Sequence, residues 1–163
     1  MTIEKFETFL SQMEENWSEA YENMTPAMPR IDKIQSINDI TRSKVMAEYG
    51  LLGADFGLLA ALRRTPEPHL LKPTEIMDYM LISSGGLTKA LYRLEKKELI
   101  SRSASPEDGR IKLVKLTLNG KKVIEDVMDK VHSDHKTITE ALSKDELVQL
   151  DILLSKLLSK MEG

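Results

Sequence analysis

The stretch from residue 73 to residue 118 constrains the fold most, because helical and strand patterns follow one another there at short intervals. Pro73 suits the first turn of a short helix over TEIMDYMLI. An amphipathic segment follows, and it begins with two adjacent glycines, Gly85 and Gly86. Each glycine inside a helix costs about 1 kcal/mol relative to alanine. The chain therefore weakens this helix at its start, and the weakness needs a reason.

A hairpin is predicted directly after the amphipathic segment. Residues 100–118, ISRSASPEDGRIKLVKLTL, end in β-formers, and SPEDG supplies turn residues. Asp-Gly is a strong signal for a tight hairpin. We predict two strands with Asp108, Gly109 and Arg110 at or near the tip, followed by a long helix that Thr117 caps and that runs to about Leu142. Short helix, turn, amphipathic helix and basic hairpin together predict a winged helix-turn-helix.

That arrangement explains the two glycines. A recognition helix enters the major groove by its N-terminal end, where free N–H groups attract phosphate and glycine places no side chain in between. Leu87, Leu91 and Leu94 are predicted to face the core, and Ser83 or Ser84 is predicted to cap the helix. The residues predicted to face DNA from this helix are Ser83, Ser84, Gly85, Gly86, Thr88, Lys89, Tyr92 and Arg93. The alternative is a glycine-containing turn before an ordinary surface helix.

The charge distribution supports a polyanion surface in the same region. Residues 83–122 hold ten bases and four acids, a net charge of +6, whereas residues 1–24 hold one base and six acids, a net charge of −5. A basic segment between acidic arms is typical of a local nucleic-acid surface. Lys112 belongs to this segment and is predicted to face DNA from the hairpin. Ordinary solvated Lys and Glu faces remain the alternative.

The rest of the chain is predicted to be helical. Phe6, Phe9, Leu10, Met13 and Trp17 recur at helical spacing, and TPAMP breaks this first segment. Further apolar stripes cover residues 31–46 and 56–62. SKDE, at residues 143–146, has the form of a capping box, and a broad apolar face follows it.

Composition excludes several classes of protein. The chain has 163 residues, of which 41% are hydrophobic and 30% charged, as in globular domains. The absence of cysteine excludes disulfides, thiol nucleophiles and Cys-ligated metals. No apolar run is long enough to span a membrane, and no secretory signal is visible, so we expect a cytoplasmic protein. No motif has catalytic spacing, so we expect no enzyme and no cofactor.

Two of the three histidines have a spacing that could suit a metal ion. His132 and His135 lie three residues apart, with Asp129 and Asp134 nearby, so a metal site is geometrically possible. Two histidines without a third ligand are more often part of a solvated or interface surface, and we predict no metal there. His69 lies between prolines in a loop and is predicted to be structural or exposed.

These segments together resemble the MarR-type transcriptional regulators. The similar segments are FGLLAALRR, LKPTEIMDYMLISSGGLTKALYRLEKKELISR and SPEDGRIKLVKLTLNGKKV, with the flanking helices. The resemblance implies a dimer, joined through the N- and C-terminal helices, whose two winged helices read a pseudopalindromic operator. It also implies that Arg110 enters the minor groove while Asp108 orients Arg110 or the turn. Many members carry arginine at both positions 109 and 110, so wing affinity is expected to be lower here.

A closer resemblance is to the urate-responsive, PecS-like branch of that family. Trp17 and Arg102 match two of the four residues that the branch associates with urate. Gly57 and Ala90 stand where the branch has an acid and a base. A buried charge without a partner is energetically costly, so the absence of both the acid and the base is consistent with an ion pair that was lost as a unit. We predict an altered switch in which Trp17, Arg102 and Met46 line a cleft for a small, aromatic or amphipathic molecule. The alternative is that Trp17 packs in the dimer core or between the lobes and that Met46 fills a gap in the core.

The sequence therefore predicts a mainly α protein with a small β-hairpin wing (α+β), a winged helix-turn-helix with a helical dimerisation lobe. The predicted parts are residues 1–50, N-terminal dimerisation helices; 51–118, the DNA-binding lobe; and 119–163, C-terminal dimerisation helices. The expected dimer contacts are residues 1–23 and 125–163, with Leu150 and Leu154 as anchors. The predicted function is a ligand-responsive, dimeric repressor of double-stranded operator DNA. The alternative is a dimeric helical adaptor that keeps the fold without operator recognition.

Overall fold

A computed structural model describes residues 3–80, 82–105, 108 and 110–161 of the chain. These residues form eight helices and three short strands, so the predicted mainly α fold with a small β-sheet is confirmed. The elements are α1 Ile3–Asn16, α2 Ser18–Glu22, α3 Ala27–Glu48, α4 Gly53–Arg64, β1 Leu70–Leu71, α5 Pro73–Met80, α6 Ser84–Lys96, β2 Ile100–Ala104, β3 Lys112–Leu116, α7 Leu118–Thr139 and α8 Lys144–Met161.

The chain divides into two compact units, Met1–Thr41 and Arg42–Gly163, with the boundary inside α3. In the first unit, Phe6 and Leu10 on α1 are buried, and Arg30 forms an ion pair with Glu7 across 3.1 Å. The second unit holds the winged helix together with α7 and α8. The predicted division into 1–50, 51–118 and 119–163 stays a prediction, because its outer parts are defined by contact with a second copy.

The sheet of the second unit has three strands, not the two predicted. Its order is β1-β3-β2, and both pairs are antiparallel. Leu70 of β1 pairs with Lys115, and on the other side of β3 Ser101 of β2 pairs with the same residue. β1 has two residues, which is too short to give an alternating pattern in a sequence. It covers one edge of β3 with the segment that leads into α5.

The core of the second unit lies between α4, α6, the sheet and α7. Leu87, Leu91 and Leu94 of α6 are buried, as predicted, and Ala90 joins them with no exposed surface. The other fully buried aliphatic side chains come from α4, α5, β3 and α7: Leu58, Leu59, Leu62, Ile76, Val114, Ile124 and Val127. This packing holds α6 in place although its first turn contains two glycines.

Two predicted helix caps are confirmed. The Thr117 hydroxyl accepts a hydrogen bond from the N–H of Gly120 at 2.9 Å, at the start of α7. Before α8, the Ser143 N–H donates to the Glu146 carboxylate at 2.8 Å, and the Glu146 N–H donates to the Ser143 hydroxyl at 3.3 Å. The hydrogen bond from the Ser143 N–H, and after it that from the Ser143 hydroxyl to the same carboxylate at 2.7 Å, lower the pKa of Glu146. Both helices thus begin where the sequence indicates.

α7 approaches the loop before β2 so closely that one helical position must be glycine. A Cβ atom on Gly120 would lie 1.9 Å from the carbonyl oxygen of Leu99. The backbone N–H of Thr117 donates to that same oxygen at 3.1 Å, and the Thr117 hydroxyl donates to the Glu98 carbonyl at 2.8 Å. The start of α7 is therefore held by contacts to backbone atoms against Glu98 and Leu99, which connect α6 to β2.

Several helices expose large apolar side chains in the single chain. On α8 these include Leu150 and Leu154, at 42% and 36% exposure, and no residue of this helix is buried. On α3, Ile34, Ile37 and Ile40 of the predicted apolar stripe are also exposed. Among the described residues no single helix is long and apolar enough to cross a membrane; α3 and α4 meet that test only when joined across an 82° bend.

Candidate nucleic-acid interface

The recognition helix α6 begins with a serine cap, as predicted. Ser83 has extended backbone angles, φ −68° and ψ 153°, and its hydroxyl accepts from the N–H of Gly86 at 3.2 Å. Ser84 is the first helical residue. The cap satisfies one of the free backbone N–H groups in the first turn. The remaining free N–H groups lie at this N-terminal end, which is the positive end of the helix dipole.

The two glycines do different things. A Cβ atom on Gly86 would lie 2.9 Å from the Ile82 side chain and 3.3 Å from the Ser83 hydroxyl, so a larger residue there would press on Ile82 and on the cap. A Cβ atom on Gly85 would meet nothing within 4 Å. Packing within the chain therefore does not explain Gly85. A bare backbone at this place fits a surface that another molecule approaches closely.

The exposed face of α6 carries Thr88, Lys89 and Tyr92, as predicted. Tyr92 is 65% exposed, which is unusual for a ring of its size. The Thr88 hydroxyl donates to the Ser84 carbonyl at 2.9 Å. While that bond persists, Thr88 can offer a base edge its methyl group or an acceptor oxygen, but not its hydroxyl hydrogen.

Arg93 is placed differently from the sequence prediction. Its guanidinium points to Asp55 on α4 rather than outward, with Nη2 2.7 Å from Oδ1 and Nε 3.1 Å from each carboxylate oxygen. Asp55 is fully buried and also accepts from the N–H of Leu52 at 3.0 Å. Hydrogen bonding to Asp55 raises the pKa of Arg93. A buried carboxylate needs a partner, so Arg93 joins α6 to α4, and its contact with DNA stays a prediction.

The wing turn is shaped by Asp108. Its carboxylate accepts from the N–H of Arg110 at 2.9 Å, and its carbonyl accepts from the N–H of Ile111 at 2.9 Å. Such a side-chain bond two residues ahead closes a tight turn. Both Asp108 and Arg110 are exposed, and so is Lys112 at the start of β3. Gly109, predicted to lie at the tip, is outside the described residues.

Arg102, predicted to bind a ligand, is engaged with the recognition helix. It lies on β2 and forms an ion pair with Glu95 on α6, in which its Nε donates to Oε1 at 3.0 Å. Hydrogen bonding between them, the largest contribution, raises the pKa of Arg102 and lowers that of Glu95. Glu95 was not singled out by sequence reasoning. The pair links a wing strand to the recognition helix.

The other two predicted ligand residues lie in different settings. Trp17 precedes α2 in the first unit and is 64% exposed. Met46, near the end of α3, is 4% exposed and belongs to the core of the second unit. Burial of this kind is what a packing residue shows, so Met46 is better explained as core than as part of an open cleft.

An apolar pocket of about 650 Å³ lies in the second unit between α4, the end of α5 and α7. Gly57 lines it, and a Cβ atom there would lie 3.0 Å from the Met80 methyl. Arg63 and Arg64 supply positive charge at its wall, with Arg63 paired to Glu125 across 2.7 Å. A pocket of this size and lining suits a small organic molecule with an apolar body.

A capped recognition helix, a sheet with a basic wing and a helix-turn-helix core define a winged-helix DNA-binding protein. Comparison with known proteins agrees. Residues 49–111 match the MarR family. The chain is 28% identical over 126 residues to the transcriptional regulator PecS of Dickeya dadantii, covering 77% of this chain and 76% of PecS. It is also 28% identical over 142 residues to the multiple antibiotic resistance protein MarR of Escherichia coli, covering 86% and 96%.

A solved structure shows the same fold. The crystal structure of a MarR mutant from Escherichia coli complexed with operator DNA has a TM-score of 0.68 and 28% identity, covering 85% of this chain and 97% of that one. The chain is therefore similar in sequence and fold to proteins of the MarR family.

Proposed function

We propose that the chain is a dimeric, ligand-responsive transcriptional regulator that binds operator DNA through α6 and the wing. The observation that carries this is the recognition helix itself. Its capped N-terminus and the side chains of Thr88, Lys89 and Tyr92 are exposed, while the pair of Arg93 with the buried Asp55 fixes its other side. We further propose that it acts as a repressor in the cytoplasm and has no catalytic activity, in keeping with relatives named as transcriptional regulators.

Arg110→Ala tests the wing. Because Arg110 is exposed next to a turn that Asp108 closes, its loss is expected to weaken binding to operator and non-operator duplex alike. The slope of log affinity against log salt is expected to fall by about one, the contribution of a single phosphate-contacting charge. Fluorescence anisotropy over a salt series measures both quantities.

Lys89→Ala is the matched comparison on α6. It is expected to change the ratio of operator to non-operator affinity, as a base-edge contact does. Unchanged affinity in Arg110→Ala would remove the wing from the interface. Binding of the unaltered protein without salt dependence would favour the adaptor alternative, because counterion release accompanies true DNA binding.

The second test concerns assembly. The exposed apolar side chains of α8, with Leu150 and Leu154 among them, fit burial against a second copy. We expect a dimer by light scattering at micromolar concentration. Leu150→Glu with Leu154→Glu is expected to shift the protein toward monomer and to weaken operator binding, whereas Lys156→Glu on the same helix is expected to do neither. A monodisperse monomer of the unaltered chain would contradict the proposal.

The third test concerns the effector, which we place in the apolar pocket at Gly57. Arg64 lies at its wall and suits an amphipathic or aromatic acid. The acid that the urate-responsive proteins have at this position is replaced by Gly57. Their base is replaced by Ala90, which has no exposed surface, so an arginine at position 90 would not fit. We therefore expect micromolar urate to leave the protein–operator complex intact and a different aromatic acid to release it. A ligand shifts the equilibrium only by its differential affinity for the two states.

Two variants separate the pocket from the cleft predicted from the sequence. Ala60→Leu adds bulk to the pocket wall and is expected to abolish release by the aromatic acid while operator binding persists. Trp17→Ala and Arg102→Ala are expected to retain release. The reverse pattern would place the effector at Trp17 and Arg102, and half-release at micromolar urate would show that the urate switch is intact.

A further inference from the structure

The core of the second unit anchors the wing hairpin only at its base. β2 is an outer strand of the sheet, and among the described strands it pairs with β3 alone. The register pair farthest from the core that still has a buried member is Arg102 with Val114. The strand residues beyond it, toward the tip, are exposed or half-buried: Ser103, Ala104, Lys112 and Leu113. The packed part of the hairpin therefore ends at Arg102.

The part of the wing beyond Arg102 is closed by its own hydrogen bonds. The N–H of Ser105, directly after β2, donates to the Ile111 carbonyl at 2.8 Å, and the Asp108 carboxylate accepts from the N–H of Arg110 at 2.9 Å. A segment that is closed in this way and anchored at one end moves as a unit about its base.

A small rotation at the base is enough to misplace the tip. Three strand residues separate Arg102 from Ser105, a distance of about 10 Å at about 3.3 Å per residue. A rotation of about 10° at Arg102 would move a group at that distance by about 2 Å, and groups farther along the wing by more. A displacement of that size breaks a hydrogen bond. The orientation of the hairpin at its base therefore controls where Arg110 lies.

The ion pair between Arg102 and Glu95 lies at this base. Nε of Arg102 donates to Oε1 of Glu95 at 3.0 Å, and Nη2 donates to Oε2. Two parallel hydrogen bonds of this kind fix orientation as well as distance. Glu95 is in the last turn of α6, at the opposite end from the serine cap. Among the described residues, no other ion pair joins a wing strand to α6.

The pair contributes too little to explain the fold, but enough to select one wing orientation. Both side chains are 38% exposed, and an exposed ion pair favours one arrangement over others by about fivefold at most. Hydrogen bonding with Arg102 lowers the pKa of Glu95, so the carboxylate is charged at neutral pH. A fivefold preference among wing orientations changes DNA affinity by up to the same factor if one orientation places both α6 and Arg110 on the duplex.

We propose that Arg102 and Glu95 are a positioning pair that sets the angle between the wing and the recognition helix. The pair thereby sets the distance between the contacts that α6 and Arg110 make with DNA. This inference rests on the proposed DNA-binding function. It gives Arg102 a role in operator recognition without contact to the duplex, in place of the ligand contact predicted from the sequence.

The sign of one effect separates positioning from simple charge. The probe is a labelled duplex that the unaltered protein selects from a random-sequence library, with affinity measured by fluorescence anisotropy. E95Q removes a negative charge from a helix that faces a polyanion, so charge alone predicts tighter binding. Positioning predicts the opposite, because Arg102 loses its bidentate partner, and we expect binding to weaken by about threefold. The control E98Q, which removes an exposed acid next to α6, is expected to bind as tightly as the unaltered protein or more tightly.

A double-mutant cycle links Arg102 to the wing tip. R102A is expected to weaken binding by about fivefold in the unaltered protein but by less than about twofold in the R110A background, where the contact that it positions is already absent. Equal losses in the two backgrounds would mean that Arg102 acts on DNA directly, and would overturn the proposal. Urea unfolding of each variant verifies that the protein is folded.

The two levels of the inference fail in different ways. If the unaltered protein selects no duplex from the library, the proposed DNA-binding function is wrong, and the positioning pair with it. If a duplex is selected and E95Q binds it as tightly as the unaltered protein or more tightly, the DNA-binding function stands and the positioning pair is refuted.

Discussion

Arg93→Ala is expected to lower the free energy of unfolding by about 3–5 kcal/mol, because it leaves the buried Asp55 carboxylate without its partner. The substitution removes the three hydrogen bonds that join α6 to α4. It is therefore expected to weaken operator binding as well, through the position of the helix rather than through a lost contact. Urea unfolding and anisotropy, measured on the same samples, report the two effects.

Two comparisons isolate the buried charge as the cause. Arg93→Ala combined with Asp55→Asn is expected to regain about 1 kcal/mol or more, since the amide oxygen still accepts from Leu52 and carries no charge. Arg102→Ala breaks the exposed pair with Glu95 and is expected to cost no more than about 1 kcal/mol. If Arg93→Ala weakened binding with no loss of stability, Arg93 would be a direct DNA contact, as the sequence had predicted.

Gly120→Ala is the second change with a large expected effect. The added methyl would lie 1.9 Å from the Leu99 carbonyl oxygen, which is a backbone atom and cannot rotate away. The start of α7 would have to move, breaking the cap at Thr117 and the bond from Thr117 to Leu99. We expect a loss of about 3 kcal/mol or more in the free energy of unfolding, or no folded protein.

Gly85→Ala is the matched control. It places the same methyl group in open space within another helix, so stability is expected to stay the same or to rise by up to about 1 kcal/mol. Thermal and urea unfolding of both variants tests the contrast. Comparable losses in the two would mean that loss of glycine in a helix, and not the contact with Leu99, controls stability. Gly85→Ala is also expected to weaken DNA binding, because it thickens the exposed helix start.

Local signals in the sequence predicted most of the fold. Helix beginnings followed from Ser83, Thr117 and the Ser143–Glu146 box, each of which makes its expected cap in the structure. The core face of α6 followed from the spacing of its leucines. These features depend on residues within one helical turn of each other, so the pattern along the chain contains the necessary information.

Features that depend on distant residues were missed. β1 has two residues and exists because it pairs with β3, more than 40 positions later. Arg93 has a helical position between the buried and exposed faces, and its direction is decided by Asp55, 38 residues earlier. The one available hint was the place of Asp55 in the first turn of α4, where a carboxylate stabilises the helix start.

One side of α6 packs in the core and the other is exposed, and this separation affects how the DNA specificity of such a protein can evolve. Leu87, Ala90, Leu91 and Leu94 hold the helix, while Lys89 and Tyr92 face outward. Exposed substitutions of this kind usually change stability by no more than about 0.5 kcal/mol. After gene duplication, a copy can therefore acquire a new operator through mutations on the outer side without passing through unfolded intermediates. The set of promoters it controls is free to change while the scaffold stays the same.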